Sequence, residues 1–382
     1  MLSILSKVDS NLLFRVKVAD VSEKVCCIVW LKNFNETKQH LLTLLDSEEL
    51  FAVYPFINAI GVKIPQSKLY DLAKLGWVEY ISTVTIATTM MDKVRKEINV
   101  DCLHREGFLG QNIGVAVIDT GCYPHIDLML GRNRLKKFVN ILDEREEPFD
   151  DNGHGTFVSG VLCGSGLYGC GQYRGIAPLC NLISIKALDN KGETQAFNVL
   201  SAMQWVYENW RQYNIRVVCM SFGSTPLAKN DPLIAGAKTL WDNGIVVVSA
   251  AGNDGPKVSS IVSPGACPSI ITVGAVEKTE KGYVVAPFSS RGPIYDEIKP
   301  DIVAPGVDIT SLSTDTNFYT KMSGTSVSTP IVAGVVTLLL SQNNYLTPNQ
   351  IKNILLKTTI HLPYNRNDCG MGLVNGYQAF HF

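Results

Sequence analysis

The sequence lacks both a charge excess and an apolar run long enough to cross a bilayer. Its 382 residues contain 34 Lys and Arg against 35 Asp and Glu, a formal net charge of -1. A chain balanced in this way has no general attraction for nucleic acid or for an anionic membrane. The most apolar runs, at 244–251 and 331–340, are shorter than the roughly 20 residues of a transmembrane helix. We therefore expect neither nucleic acid nor a membrane among its partners.

A secretion signal and a cysteine framework are also missing. The first residues, MLSILSKVDSNLLF, contain no basic stretch followed by a sustained apolar segment. The 10 cysteines form no CxxC pair and no Cys/His spacing typical of zinc. Several lie in apolar strands, where a thiol packs as a small hydrophobic group. These features favour reduced thiols and a cytoplasmic location, and Cys163 with Cys170 is the first pair to examine for a disulfide.

The pattern of predicted strands and helices changes near residue 90. Between residues 12 and 87, short strands and helices alternate, beginning with the predicted strand FRVKVA, and this order predicts a small α+β sandwich. Beyond it the strands become continuous apolar runs, such as IGVAVID and GIVVVSAAGN, separated by helical stretches. Continuous apolar strands predict a parallel sheet covered by helices on both faces, so we expect an α/β fold there.

Four polar residues stand in positions where chemistry is expected. Asp119 ends a predicted strand, His154 follows a Gly turn, Asn253 follows another strand, and Ser326 opens an apolar segment. Each has an ordinary explanation by itself: a carboxylate in need of a donor, a surface histidine, an Asn-Asp-Gly turn, and a helix capped by Thr325 or Ser326. All four together, in this order, are much less likely by chance than any one of them. Reactive groups of parallel sheets collect at the carboxyl ends of the strands. The order Asp, His, Ser is that of the subtilisin triad, and the GxSxG elbow of α/β-hydrolases is missing.

The segments around these residues resemble the motifs of subtilisin-like serine proteases. They are VAVIDTG, NGHGTFVSG, SAAGNDG and MSGTSVSTPIVAG, and the resemblance extends over roughly residues 96 to 380. It is closest to the signal-less intracellular branch of Bacillus-type bacteria. It implies a subtilisin-like three-layer fold with a central parallel sheet over residues 91–382. Residues 1–90 resemble, more weakly, the family's ferredoxin-like inhibitory propeptide, with a junction within 85–91; the alternative is a permanently attached accessory domain.

The resemblance also implies a role for each of the four residues. Ser326 would attack the scissile carbonyl, His154 would accept and return its proton, and Asp119 would hold the imidazole. Asn253, with the backbone N–H of Ser326, would stabilise the oxyanion.

The same resemblance places the substrate. A peptide would lie as an added strand between Ser221, Phe222 and Gly223 on one side and Gly192, Glu193 and Thr194 on the other. The walls of the first specificity pocket would be Ser221, Gly223, Ala250, Ala251 and Gly252. Such small residues leave room for a large apolar side chain, and Asp254 at the rim would additionally favour a basic one.

No cofactor is expected. In secreted relatives a calcium loop interrupts the helix after the catalytic His, but here that region reads GVLCGSGLYGCGQYRGIAP and contains no carboxylate. The family's strong calcium site is therefore not expected, while a weaker cation site elsewhere stays open. The stretch GSGLYG matches a dinucleotide fingerprint, but it follows a helix rather than a strand, which excludes that interpretation.

The sequence thus predicts a serine endopeptidase of broad specificity that acts on proteins or peptides. Its N-terminal domain would be an intramolecular inhibitor that the enzyme removes by cleaving its own chain. Two alternatives come from other classes. A catalytically silent relative would serve as a binding or scaffold protein, although no triad member is missing. An esterase of the α/β-hydrolase type would share the chemistry, although the triad order and the missing elbow argue against it.

Overall fold

The computed structural model describes residues 7–9, 12, 24–83, 93–227, 230–315 and 318–382. The chain packs as two compact units, Met1–Met90 and Met91–Phe382. The predicted strand FRVKVA and the predicted junction within 85–91 lie outside the described residues.

In the described part of the first unit, an antiparallel sheet packs with two helices. Its elements are β1 (Lys24–Leu31), α1 (Phe34–Leu44), β2 (Leu50–Tyr54), β3 (Ala59–Pro65), α2 (Gln66–Lys74) and β4 (Val78–Thr83). The strands pair in the order β2-β3-β1-β4, every pair antiparallel. This βαββαβ succession with that strand order is the ferredoxin-like arrangement. Its core consists of apolar side chains from the inner sheet face and from both helices, among them Val29, Leu41 and Leu69.

The second unit is built around one large sheet. Its strands are β5 (Gly114–Asp119), β6 (Leu135–Asn140), β7 (Asn181–Lys186), β8 (Ile215–Met220), β9 (Val246–Ala250), β10 (Ile271–Thr279), β11 (Gly282–Val285) and β12 (Ile302–Pro305). A separate hairpin consists of β13 (Ile309–Leu312) and β14 (Tyr319–Met322). The helices are α3 (Lys93–Glu97), α4 (Asp101–Arg105), α5 (Ile126–Met129), α6 (His154–Cys163), α7 (Ala196–Asn209), α8 (Pro232–Asp242), α9 (Thr325–Gln342), α10 (Pro348–Lys357), α11 (Arg366–Cys369) and α12 (Gly376–Phe380).

The large sheet is parallel except at one edge. Its order is β11-β10-β9-β8-β5-β7-β6, and β12 also pairs with β10. β10 and β11 form an antiparallel hairpin, since the tight turn from Thr279 to Gly282 is too short for a parallel crossover. Every residue of β5 and β9 is buried, as the continuous apolar runs predict. The predicted α/β fold is therefore confirmed, with the antiparallel edge as a detail that the sequence did not indicate.

Helices cover the sheet in two groups. α6 and α9 pack against each other and on the sheet, and α7 and α8 form a second pair that packs on β5 and β9. α9 is longer than the run at 331–340 suggested, because it begins at Thr325. Its 18 residues, with a mean hydropathy of 1.4, would suffice in length and composition to cross a membrane. Since 83% of it is buried inside the protein, α9 is the central core helix of this unit.

The strand order creates a crevice at the end of β5. After β5 the chain adds β6 and β7 on one side, and it then crosses back to add β8 and β9 on the other. β5 therefore lies at the topological switch point, where the connections leave in opposite directions. In open α/β sheets the carboxyl end of the strands at such a point is the usual ligand site. The residue at that end of β5 is Asp119.

Candidate active site

Asp119 is buried at the end of β5 and holds the ring of His154. The imidazole Nδ1 lies 2.7 Å from Asp119 Oδ1, and the backbone N–H of Thr120 donates to the same oxygen at 2.8 Å. A carboxylate can only accept, so Nδ1 carries the proton. In the neutral ring Nε2 is then the basic nitrogen, which leaves it available to a neighbouring hydroxyl.

Glycines allow His154 to approach the strand end. His154 is the first residue of α6, and Gly153 before it has a φ of 100°, a left-handed conformation that favours glycine. A Cβ on Gly155 would lie 2.2 Å from the carbonyl oxygen of Gly121 and 3.2 Å from Asp119 Cβ. Only a residue without a side chain at position 155 lets the start of α6 come this close to the end of β5.

The electrostatic environment of His154 favours its protonated form. The His154 side chain is 25% exposed to solvent. Burial, the largest single effect, lowers the pKa of His154, but the charge and hydrogen bond of Asp119 and the charge of Asp150 together outweigh it. The pKa of His154 is therefore raised above its ordinary value of 6.5.

Asp150, which the sequence analysis did not single out, ties the two elements together. Its buried carboxylate accepts hydrogen bonds from Thr120 Oγ1 at 2.9 Å, from the backbone N–H of Gly153 at 2.8 Å, and from the N–H and Oγ1 of Thr156 at 2.8 and 2.6 Å. Thr120 Oγ1 in turn accepts from the N–H of Gly155 at 2.8 Å. One carboxylate thus connects the residue after Asp119 with the first turn of α6. The sequence signal was the Asp in DDNG, a turn signature, but a turn alone does not predict a bridge to β5.

Asn253 is oriented by the start of α9. Its Oδ1 accepts from the backbone N–H of Thr325 at 2.9 Å and from Thr325 Oγ1 at 3.1 Å. Thr325 Oγ1 also accepts from the N–H of Gly252 at 3.1 Å. Because the Thr325 N–H can only donate, the amide oxygen must face it, and Nδ2 is left to donate elsewhere. A Cβ on Gly324 would lie 3.0 Å from Ser326 Oγ and 3.4 Å from Asn253 Nδ2, so the hydroxyl and the amide nitrogen face the same small space.

Ser326 does not cap the helix. The N-cap of α9 is Gly324, without a side-chain hydrogen bond, and Thr325 and Ser326 are the first two helical residues. The prediction that Thr325 or Ser326 caps this helix is therefore wrong, because Gly324 stands at the cap, where a side chain would crowd the hydroxyl and the amide. Ser326 is half-buried and makes no side-chain hydrogen bond to any other described residue, His154 included. The structure thus joins Asp119 to His154 and Asn253 to the start of α9, and among the described residues it gives the Ser326 hydroxyl no hydrogen-bond partner.

Comparison with known proteins identifies the family of this chain. The model of the subtilase family matches residues 110–375. This chain belongs to the subtilase family. It is 40% identical to Serine protease AprX of Bacillus subtilis (strain 168) over 335 residues, which cover 79% of this chain and 74% of AprX. It is 32% identical to Subtilisin E of the same strain over 337 residues, with 84% and 80% covered.

Solved subtilase structures have the same fold. Sphericase aligns with a TM-score of 0.62 at 26% identity, and the S41 Psychrophilic Protease with 0.63 at 28%; each alignment covers 70% of this chain and 92% of the other. The protein is therefore a subtilisin-like serine protease, a hydrolase of peptide bonds, and the predicted family is confirmed.

The two segments of this subtilase that were expected to bind a peptide follow β8 and border the loop before His154, respectively. Ser221, Phe222 and Gly223 follow directly after β8, next to β5 in the sheet. The opposite segment, 192–194, is an exposed turn in which the N–H groups of Gly192 and Glu193 bond Asp189. A Cβ on Gly192 would lie 3.6 Å from Asn152 Nδ2, so this turn borders the loop that leads to His154.

The residues expected to wall the first pocket are not all available to a substrate. Ala250 and Ala251 are buried, and Ala251 packs in a small cluster with Ile261 and Ala266. Asp254 is exposed, and its backbone N–H donates to Ser290 Oγ at 3.1 Å.

Gly223 and Gly252 both face the side chain of Val262, which the sequence analysis did not consider. No local pattern marks Val262, because its position depends on how the 256–264 loop folds back between the two segments.

The loop after α6, where the sequence did not predict the family's strong calcium site, packs against the carboxylate of Asp127. Subtilases in general act without a cofactor, and some bind calcium. Here Asp127 contacts the loop, but its oxygens accept from Ser165 Oγ, from the N–H of Tyr168 and from Tyr319 Oη, at 3.2, 2.9 and 2.5 Å. Calcium needs six or more oxygen ligands. In the described part of the chain no group of three His, Cys, Asp or Glu could hold a metal ion.

The cysteines are free thiols. Cys163 is buried and Cys170 is exposed, so these two do not form the pair considered from the sequence. The buried neighbour of Cys163 is Cys180, and their hydrogen bond, followed by burial, raises the pKa of the Cys180 thiol. Burial raises the pKa of Cys219, near the predicted substrate segment, to about 12. A thiol with so high a pKa is unreactive at neutral pH.

Proposed function

We propose that this subtilase is a serine endopeptidase in which Ser326, His154 and Asp119 are the catalytic triad and Asn253 supplies the oxyanion site. The observation that carries the proposal is the state of Ser326. Ser326 is half-buried at the second residue of α9, and its hydroxyl has no hydrogen bond among the described residues and faces the same space as Asn253 Nδ2. A serine that neither caps its helix nor bonds its neighbours is available for chemistry.

In acylation these groups would act in turn. Ser326 Oγ forms a bond to the scissile carbonyl carbon while His154 Nε2 takes the hydroxyl proton. The imidazolium is stabilised by Asp119 Oδ1, which already accepts from Nδ1 at 2.7 Å. The oxyanion accepts hydrogen bonds from Asn253 Nδ2 and from the backbone N–H of Ser326. His154 then gives its proton to the leaving amine as the C–N bond breaks, and the acyl group stays on Ser326.

Deacylation repeats these steps with water. His154 takes a proton from the water while the water oxygen adds to the ester carbon. His154 then returns the proton to Ser326 Oγ when the bond between Ser326 Oγ and the acyl carbon breaks. The His154 to Ser326 contact, absent in this structure, is one that typically tightens when substrate is bound.

Proteins and peptides would bind in extended form. Strand addition uses backbone hydrogen bonds, which carry little sequence preference, so these contacts by themselves would give broad specificity. Ser221, Phe222 and Gly223 would form one edge of the cleft, and Gly192, Glu193 and Thr194 the other.

The direct test is casein hydrolysis by Ser326→Ala. We expect it to lose activity while Ser323→Ala, an exposed serine in the same segment, keeps it. Small esters do not discriminate, because an esterase would also hydrolyse them. Casein hydrolysis unchanged in Ser326→Ala would contradict the proposal, and hydrolysis of esters without any of casein or peptides would favour an esterase.

We also propose that residues 1–90 are an inhibitory propeptide that the enzyme cuts within 85–91. The support is the motif resemblance and the ferredoxin-like strand order of the first unit. N-terminal sequencing should find a start within 85–91 in the purified enzyme and the intact chain in Ser326→Ala. An active enzyme that retains its first ninety residues would instead identify them as an accessory domain.

A further inference from the structure

Both glycines of the expected first pocket point at one side chain. A Cβ on Gly223 would lie 2.0 Å from Val262 Cγ2 and 2.7 Å from Val262 Cβ. A Cβ on Gly252 would lie 2.7 Å from Val262 Cγ1, 3.2 Å from Cγ2, and 2.8 Å from Ser290 Oγ. The isopropyl group of Val262 therefore fills the space that the two missing side chains leave open.

The backbone fixes Val262 in this position. Its N–H donates to the carbonyl oxygen of Ala251 at 3.0 Å, and its own carbonyl accepts from the N–H of Ala266 at 2.9 Å. The next residue, Ser263, exchanges two backbone hydrogen bonds with Ser224, at 2.8 and 2.9 Å. Residues 261–263 are thus held between the segment after β8 and the segment after β9. A β-branched side chain on so constrained a backbone has few alternative rotamers, so Val262 has little freedom to swing away.

Val262 is also partly accessible to solvent. It is half-buried, whereas Ile261 and Ser263 on either side are buried. Ile261 faces the small cluster with Ala251 and Ala266. Val262 faces both glycines, and Gly252 directly precedes Asn253 of the proposed mechanism. If the side chain before the scissile bond enters between Gly223 and Gly252, as the resemblance implies, it meets the isopropyl group of Val262.

We propose that Val262 determines the specificity of this protease by restricting the residue before the cleaved bond to small side chains such as Ala and Ser. This proposal rests on the proposed function. It departs from the sequence-based expectation of a large apolar residue there, which considered only the wall residues and not what stands between them. A phenyl ring or a leucyl group would have to share the space between Gly223 and Gly252 with the isopropyl group, and close-packed sites tolerate such additions poorly.

The test is a set of peptides that differ only in the residue before the cleaved bond, with Ala, Leu or Phe at that position. For the unmodified enzyme we expect kcat/KM for Ala to exceed that for Phe by about 10-fold or more, the discrimination that a few methylene groups provide in a filled pocket. Val262→Gly should reverse the order, and Val262→Ala should bring the two values together. The matched control is Val258→Gly, which changes an exposed valine of the same loop and should leave the ratio as it is.

Each outcome decides something. An unmodified enzyme that cleaves after Phe as well as after Ala overturns the proposal, as does a folded Val262→Ala or Val262→Gly variant with an unchanged ratio. Val262→Ala keeps Cβ and thereby covers the case in which the glycine variant does not fold. A protein that cleaves none of the peptides and does not react with a fluorophosphonate would instead contradict the proposed function.

Discussion

The two halves of the proposed active site are built differently. On the side of the base, Asp119 and His154 are joined by a 2.7 Å hydrogen bond, and the buried carboxylate of Asp150 locks the strand end to the helix start. On the side of the nucleophile, Asn253 is oriented by Thr325, whereas the Ser326 hydroxyl makes no hydrogen bond to a described residue. The proposed base is thus held in place by neighbouring groups, while the hydroxyl of the proposed nucleophile has no such restraint among the described residues. Changes on the two sides should consequently affect different kinetic and stability parameters.

The largest effect is expected for the base itself. His154→Ala should lower kcat by about 10⁶-fold, the loss seen when the triad histidine of subtilisin is removed, because nothing else in the site can accept the hydroxyl proton. Peptide hydrolysis under saturating substrate measures it. His361→Ala, at an exposed histidine, serves as the control and should retain full activity. A loss of less than ten-fold would mean that His154 is not the base.

On the nucleophile side, Asn253→Ala should reduce kcat by about 10²–10³-fold with little change in KM, as for the equivalent amide of subtilisin. The amide meets charge only when the oxyanion forms, so it contributes to the transition state and not to substrate binding. Asn243→Ala, an exposed asparagine after α8, is the control. If KM rose while kcat stayed constant, Asn253 would be a substrate-binding residue instead.

Asp150→Asn separates positioning from electrostatics on the base side. In asparagine an NH2 group replaces one of the two carboxylate oxygens, and it cannot accept a hydrogen bond from the buried donors that face it. We therefore expect the substitution to lower the free energy of unfolding by about 1–3 kcal/mol. It should also move the acidic limb of kcat/KM to lower pH. His154 works as a base only when neutral, and the negative charges of Asp119 and Asp150 hold its pKa above 6.5, so activity is lost as the pH falls through that raised pKa. Removing one charge lowers the pKa and extends activity toward acid.

Denaturant unfolding and a pH profile of Asp150→Asn are the two measurements. A loss of stability with an unmoved acidic limb would show that Asp150 acts on His154 only through structure.

The smallest effect concerns the orientation of the oxyanion amide. Thr325→Val removes one of the two hydrogen bonds to Asn253 Oδ1 but keeps the backbone bond at 2.9 Å. Loss of a hydrogen bond worth about 1 kcal/mol corresponds to about five-fold in kcat. Thr337→Val changes a buried threonine in the middle of the same helix and should not alter kcat. Equal effects of the two substitutions would point to helix stability and not to orientation of the amide.

The sequence predicted the side chains proposed to react, but not the groups that hold them. Asp119, His154, Asn253 and Ser326 stand at strand ends and helix starts, and those positions follow from local patterns of apolar runs and glycines. The ring of His154 meets Asp119 as expected because β5 lies at the switch point of the sheet. These features depend on short stretches of chain, and short stretches determine periodicity and turn chemistry.

The supporting residues depend on contacts between distant stretches. Asp150 bonds Thr120 thirty residues away, and Thr325 bonds Asn253 at a separation of 72. Val262 faces Gly223 and Gly252 only because the loop before β10 folds back between two strand ends. The N-cap of α9 was predicted wrongly for the same reason, since it also depends on a contact between distant stretches. Either Thr325 or Ser326 satisfied the local preference for a capping side chain, but the space needed around Asn253 placed Gly324 there.

The central claim is that the unpaired hydroxyl of Ser326 is a nucleophile activated by His154. Reaction of the folded, processed protein with a fluorophosphonate, followed by mass spectrometric mapping of the modified residue, tests it most directly. We predict one label per molecule, on Ser326, with labelling abolished in Ser326→Ala and strongly slowed in His154→Ala. A folded protein that takes up no label, or that carries it on another hydroxyl, would contradict it.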